Sequence, residues 1–208
     1  MVMVFSAILS CPRDNHLLDE HVKNLDSLGY PLAHCAYNAM GGSDKFCVPG
    51  QIIQCNESYE DLAVKMYGIF KHALSFDPDY ILKSDVNTRV VSIDWDKVFR
   101  ADFAGVVFRH PARQPPREAL IAKGVKQLLL LDGRLPGFDV DVWCSGPCYV
   151  ISRRLAEFYV QQGPWNARAA FFAEDLYLSK IAKEHGIEPV AAVKYADVCG
   201  DRVVLQGQ

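Results

Sequence analysis

The chain has 208 residues, 50% hydrophobic and 23% charged, with a net charge of −3. That composition suits one large α/β domain with its own core. It contains no basic run to suggest a nucleic-acid surface, and its longest apolar stretch, around Leu128-Leu129-Leu130-Leu131, is far too short to span a membrane.

The amino terminus, Met1 to Leu9, is apolar without a basic n-region, so it is read as a first buried strand (Val2 to Ser10) and not as a signal peptide. Ser10-Cys11-Pro12-Arg13-Asp14-Asn15 follows as a polar loop at the strand's carboxyl end. From His16 to Gly29, Leu17, Leu18, Val22, Leu25 and Leu28 recur at helical spacing, and Gly29 is a stop. Pro31 to Tyr37 is a second strand ending at Asn38, which makes a β-α-β start with two parallel strands. Ala39 to Gly50 reads as a loop and Gln51 to Gln54 as a short strand. Tyr59 to Leu74 is the clearest helix, with Leu62, Ala63, Met66, Ile69, Phe70 and Ala73 on one face and Ser58/Asp61 resembling a capping box.

The most informative stretch is Tyr80-Ile81-Leu82-Lys83-Ser84-Asp85-Val86-Asn87. Pro78 disfavours helix at Asp77, so Phe76 to Asp79 is a turn, and Tyr80 to Leu82 is a short buried strand. Ligands of open α/β sheets sit beyond the carboxyl ends of strands. Asp85 and Asn87, two positions apart, offer oxygens to one hard cation, Mg2+ or Mn2+. Taken alone, the octapeptide reads more readily as a strand ending in an ordinary Asx turn.

Asp94 to Phe99 is a short helix and Ala104 to Phe108 a strand. Arg109 to Arg117 is a basic, proline-rich loop. Trp143 to Ser152 is a Gly/Pro-interrupted turn entering a strand, and Arg153 to Gln161 a helix. Glu174 and Asp175 head a helix that stops at Gly186, and strands at Val190 to Val193 and Val203 to Leu205 close the chain. The seven cysteines, odd in number and without CxxC spacing, fit reduced thiols of a cytosolic protein; Cys144 and Cys148, four apart, could form a tie or a metal pair, but small buried hydrophobes are the favoured reading. No repeat or linker interrupts the chain, so residues 1–208 are read as one domain, about 1–90 forming one half and about 91–208 the other.

Four segments in order resemble a known family. Gln51 to Gln54, then Ser58 to Leu62 with Lys65, look like "DIIQ…DSYxNLTLKT"; Tyr80 to Asn87 resembles "YVLKTDDD"; Trp143 to Ser152 resembles "YCSGGGYVLS"; and Glu174 to Tyr177 resembles "EDVYVG". These are motifs of the β-1,3-galactosyltransferase and Fringe-like glycosyltransferases, and the resemblance spans roughly residues 51–190. It implies a GT-A type α/β fold, with a mostly parallel central sheet flanked by helices and a nucleotide-binding half merged with an acceptor half. It implies a metal-dependent hexosyltransferase that uses a UDP-sugar donor, a glycan or glycoprotein acceptor, and Mn2+ or Mg2+ held by Asp85 and Asn87. Asp175 would be the general base, supported by Glu174. Ser10, Arg13, Asn38, Lys65, Lys83, Asp85, Val86, Asn87, Trp143, Ser145 and Gly146 would line the nucleotide-sugar site. Two departures stand out: Asn87 replaces the last acid of the metal motif, and Pro147 replaces a glycine after Gly146. The chain also lacks the membrane anchor and disulfides usual in that family, which implies a soluble, cytoplasmic relative of viral or bacterial origin. The competing expectation, motivated by Asn87, is a non-catalytic nucleotide-sugar or glycan-binding module on the same scaffold.

Overall fold

The computed structural model describes residues 1–10, 12–37, 62–110, 140–164, 166, 174–197 and 205–206. The expected Ala39–Gly50 loop, the Gln51–Gln54 strand, the Ser58/Asp61 capping box and most of the Arg109–Arg117 loop lie outside them. β1 (Val4–Leu9) leads through a 3-10 helix (Pro12–Leu17) into α1 (Leu18–Asp26), then β2 (Ala33–Tyr37). The loop expected after the first strand is thus largely 3-10 helix. α2 (Leu62–Leu74) precedes β3 (Tyr80–Asp85), β4 (Thr88–Ile93), α3 (Trp95–Val98) and β5 (Phe103–Arg109). β6 (Val142–Ser152), α4 (Arg153–Gln161), α5 (Glu174–Glu184), β7 (Val190–Ala191), β8 (Val193–Asp197) and β9 (Leu205–Gln206) complete it.

Six strands form the main sheet in the order β2-β1-β3-β6-β5-β7. β1 pairs in parallel with β2 and β3, β5 pairs in parallel with β7, and β6 runs against both neighbours. The sheet is therefore mostly parallel and flanked by helices, as expected of an α/β fold. β6, from late in the chain, enters between β3 and β5, so strands of both expected halves share one sheet. A second, antiparallel sheet has the order β4-β8-β9.

Side-chain alternation along each strand sorts the core into two layers. Phe5, Ala7, Ile81, Phe103, Tyr149 and Ile151 point to one face and pack on Met66, Ile69 and Phe70 of α2, Leu155 and Tyr159 of α4, and Leu178 and Ile181 of α5. Val4, Ile8, Leu82, Ala104, Cys148 and Val150 point to the other, against Leu18 and Leu25 of α1, Val98 of α3 and Tyr195 of β8. The turn before β3 behaves as Pro78 dictates: Asp77 takes a left-handed φ of 56° and cannot extend α2. Ser152 caps α4 by accepting from the Leu155 N–H at 3.2 Å.

Three local readings are corrected. The key strand runs on to Asp85, so Asp85 is its last residue and Lys83 and Ser84 lie within it. Trp143 to Ser152 belongs to a single strand, not to a turn entering one. It bulges: β5 advances from Gly105 to Val107 while the facing residue on β6 moves from Tyr149 back to Cys144. Pro147, which has no N–H to donate, is accommodated at such an interruption. The tail segment read as one strand divides between sheets, β7 in the large one and β8 in the small one, because the chain crosses from one to the other at Ala192. Among the described residues, no helix is long and apolar enough to cross a membrane.

Candidate functional site

The carboxyl ends of β1 and β3, the start of the antiparallel β6 and the amino terminus of α5 meet at one end of the main sheet. Lys83 lies at their centre. Sharing the side of Ile81, its side chain points to the helical layer and is 1% exposed. An isolated ammonium there would be severely destabilising. Its ammonium forms an ion pair with Asp85 Oδ1 at 2.7 Å and donates to the Gly146 carbonyl at 2.5 Å and to Glu174 Oε1 at 3.3 Å. Burial alone would depress its pKa, but the Asp85 and Glu174 carboxylates outweigh that and hold it above the ordinary lysine range. So placed, Lys83 ties Asp85, Gly146 and Glu174 together.

Glu174 is 2% exposed. The Tyr149 hydroxyl donates to its Oε2 at 3.0 Å while Lys83 holds Oε1. Burial pushes its pKa up to about 7; Lys83 opposes that rise and the nearby Asp175 and Asp85 charges add to it. Asp175, half-buried, accepts from the Leu176 N–H at 2.8 Å and from the Gly146 N–H at 3.1 Å. Desolvation of its carboxylate raises the pKa against the pull of those backbone donors and of Lys83. The bulge packs closely here: a Cβ on Gly146 would lie 3.1 Å from Glu174 Oε1 and 3.3 Å from Asp175 Oδ2.

Gly146 is thus the crossing point, its carbonyl facing Lys83 and its amide facing Asp175. Ser145 before it is buried, with its hydroxyl 2.5 Å from that of Tyr195. Trp143, at the start of β6, stacks on Phe108 with ring centroids 4.5 Å apart; its buried indole N–H has no partner among the described residues. Val86 is buried and its N–H donates to the Leu9 carbonyl at 2.9 Å, which fixes the turn that carries Asn87 beside the end of β1. Lys65 is buried on α2 and donates to the Ser10 carbonyl at 2.9 Å, while the Ser10 hydroxyl donates to Asn15 Oδ1 at 2.9 Å. Asn38 and the side chain of Arg13 lie outside the described residues.

Asp85, Lys83, Gly146, Glu174 and Asp175 therefore form one connected set, with Asn87 a turn away and Ser10 and Lys65 at the neighbouring strand end. Tyr149 and Tyr195 were not singled out from the sequence. A buried Glu needs a donor, which is the signal that Tyr149 answers; nothing local marks Tyr195. Behind β3, on the opposite face, His21 Nε2 meets Ser84 Oγ at 2.8 Å, and Asn24 bonds both the N–H and the C=O of Val90. Cys35, Cys144 and Cys148 are buried free thiols.

No three His, Cys, Asp or Glu side chains cluster as a metal ligand set among the described residues. The Asp85–Asn87 turn still suits a hard cation: it presents a carboxylate and an amide two positions apart, and Mg2+ is commonly held by one or two protein oxygens plus phosphates and water.

No family model matches the chain, and no curated protein does. Among solved structures it is similar to one described as the crystal structure of A197 from STIV. The TM-score is 0.54 at 13% identity, over 100% of this chain and 95% of that one. At that identity the likeness bears on the fold alone.

Proposed function

We propose that this chain is a GT-A type glycosyltransferase that moves a hexose from a UDP-sugar to a hydroxyl of a glycan or glycoprotein acceptor. One observation carries the reading: three of the family-like segments converge on Lys83. Its ammonium joins Asp85 to Gly146 and Glu174, which lie 63 and 91 positions further along the chain than Lys83. It links the segments that the resemblance assigns to cation, donor and acceptor chemistry.

Asp85 and Asn87 would hold Mn2+ or Mg2+, which offsets charge on a departing diphosphate. Lys83 orients Asp85 by holding one of its oxygens. Lys65 sets the loop after β1 through the Ser10 carbonyl, at the strand ends where nucleotides bind in such sheets. In the transfer, the acceptor oxygen bonds to the anomeric carbon, the bond to the diphosphate breaks and UDP leaves with its electrons. The acceptor's proton passes to an Asp175 oxygen. A carboxylate with a raised pKa suits that role, and Asp175 has the exposed surface that Glu174 lacks. Glu174 serves by holding Lys83 and Tyr149.

The second reading, a nucleotide-sugar or glycan-binding module without turnover, is favoured by Asn87, an amide where the family has an acid. Calorimetric titration of UDP with Mn2+ and then with EDTA tests the donor class, and UDP release across a panel of UDP-sugars separates the two readings. Asp175→Asn is expected to lower transfer by about 10²–10⁴-fold while leaving Mn2+-dependent UDP binding intact. Wild-type turnover in that variant removes Asp175 as the base, and UDP binding that ignores EDTA removes the cation.

A further inference from the structure

The segments that meet at Lys83 on one face of the main sheet are also tied together from the small sheet. β8 pairs with β4, Thr88 opposite Asp197 and Val90 opposite Tyr195, so it holds the strand that begins directly after Asn87. From β8 the Tyr195 side chain, 1% exposed, reaches the Ser145 hydroxyl at 2.5 Å. Ser145 immediately precedes Gly146, whose amide rests on Asp175 and whose carbonyl rests on Lys83. This is the bulged part of β6, where ladder hydrogen bonds are interrupted and side chains must hold the backbone.

We infer that Tyr195 is a positioning residue for the transfer: its hydroxyl, through Ser145, keeps the Gly146 amide on Asp175. The inference rests on the glycosyltransferase reading above. An amide drawn away from Asp175 leaves the carboxylate with one donor fewer and easier to protonate. The other groups facing Asp175 are Glu174 on its own helix, Lys83 from β3, and Cys144 and Tyr149 from β6. Exchanging Tyr195 for Phe touches none of them and keeps the buried ring.

The test uses Tyr195→Phe, Ser145→Ala and the double variant in the full chain. Amide hydrogen exchange at Gly146 reads the hold on the bulge directly. Each single variant is expected to speed it about 5-fold or more, the double no further than either, while the Leu82 amide keeps its rate. In the UDP-release assay the acidic limb of the kcat/KM profile shifts to higher pH in the same variants, and in Tyr195→Phe the Mn2+-dependent UDP affinity stays at the wild-type value. Unchanged exchange at Gly146, additive single effects, or faster exchange with an unmoved acidic limb each overturn the inference. A wild-type protein that binds UDP but turns over no UDP-sugar overturns the glycosyltransferase reading instead; Gly146 exchange then decides on its own whether Tyr195 holds the bulge.

Discussion

Glu174→Gln and His21→Gln are expected to tilt the pH dependence of stability in opposite directions. His21 is buried behind β3, and burial, with a smaller contribution from the charge of His34, lowers its pKa from 6.5 to about 4 against the pull of a Thr88 backbone bond. The unfolded chain takes up this proton near pH 6.5 and the folded chain resists until about 4. The stability involved is present above the unfolded value and is lost as pH falls through that window, roughly 3 kcal/mol in full. Glu174 runs the other way. Folded, it keeps its proton to about 7; unfolded, it gives it up near 4.5. Its contribution is fully present below the unfolded value and is lost as pH rises through the folded one, again roughly 3 kcal/mol. Where the two windows overlap, the slopes oppose and the wild-type profile is flattened. Urea unfolding followed by circular dichroism, at constant ionic strength across that pH range, isolates each group as the difference between variant and wild type. That difference grows with rising pH for Glu174→Gln and with falling pH for His21→Gln. Packing changes add only a pH-independent offset. A flat difference for either variant refutes the reasoning, since it means the group titrates alike in the folded and unfolded chain.

Lys83→Met leaves Asp85 and Glu174 without their shared counter-ion and should destabilise the fold by about 3–5 kcal/mol in urea unfolding; a loss below about 1 kcal/mol would mean the ammonium is solvated. Gly146→Ala brings a methyl against both acids, so transfer should fall about tenfold or more through misplacement of Asp175. Stability there should fall by less than about 2 kcal/mol, because carboxylate ends can shift. Gly105→Ala sets a Cβ 2.9 Å from Cys144 Sγ and 3.1 Å from its Cβ inside a closed core. Thermal and urea unfolding should both show a loss of about 1–3 kcal/mol from overpacking.

Much of the architecture is legible locally. The β-α-β start, the left-handed break at Asp77 before Pro78, the Ser152 cap of α4 and the acids heading α5 depend on residues a few positions apart. Strand partners are less legible. β4 escaped notice because Arg89, Val91 and Ser92 are exposed and Thr88 to Ile93 has little apolar pattern; its strand state comes from pairing with β8. Gly146 and Pro147 look like a turn in any local window, and only pairing with β3 and β5 on either side makes β6 one bulged strand.

At the site the same division holds. Sequence alone established the ordering of oxygen-bearing and acidic side chains at strand and helix ends, because a strand stop or a helix start is written in adjacent residues. It identified Asp85, Glu174, Asp175 and Gly146 as candidates without saying that they touch. Tertiary structure decided that Lys83 joins them, that Lys65 is buried, that Tyr149 supplies the proton donor for Glu174, and that Tyr195 reaches Ser145. A lysine's burial, and hence its role, depends on acceptors brought to it from 63 and 91 positions away. Those neighbours follow from the order in which strands enter the sheet, and a local pattern does not encode that order.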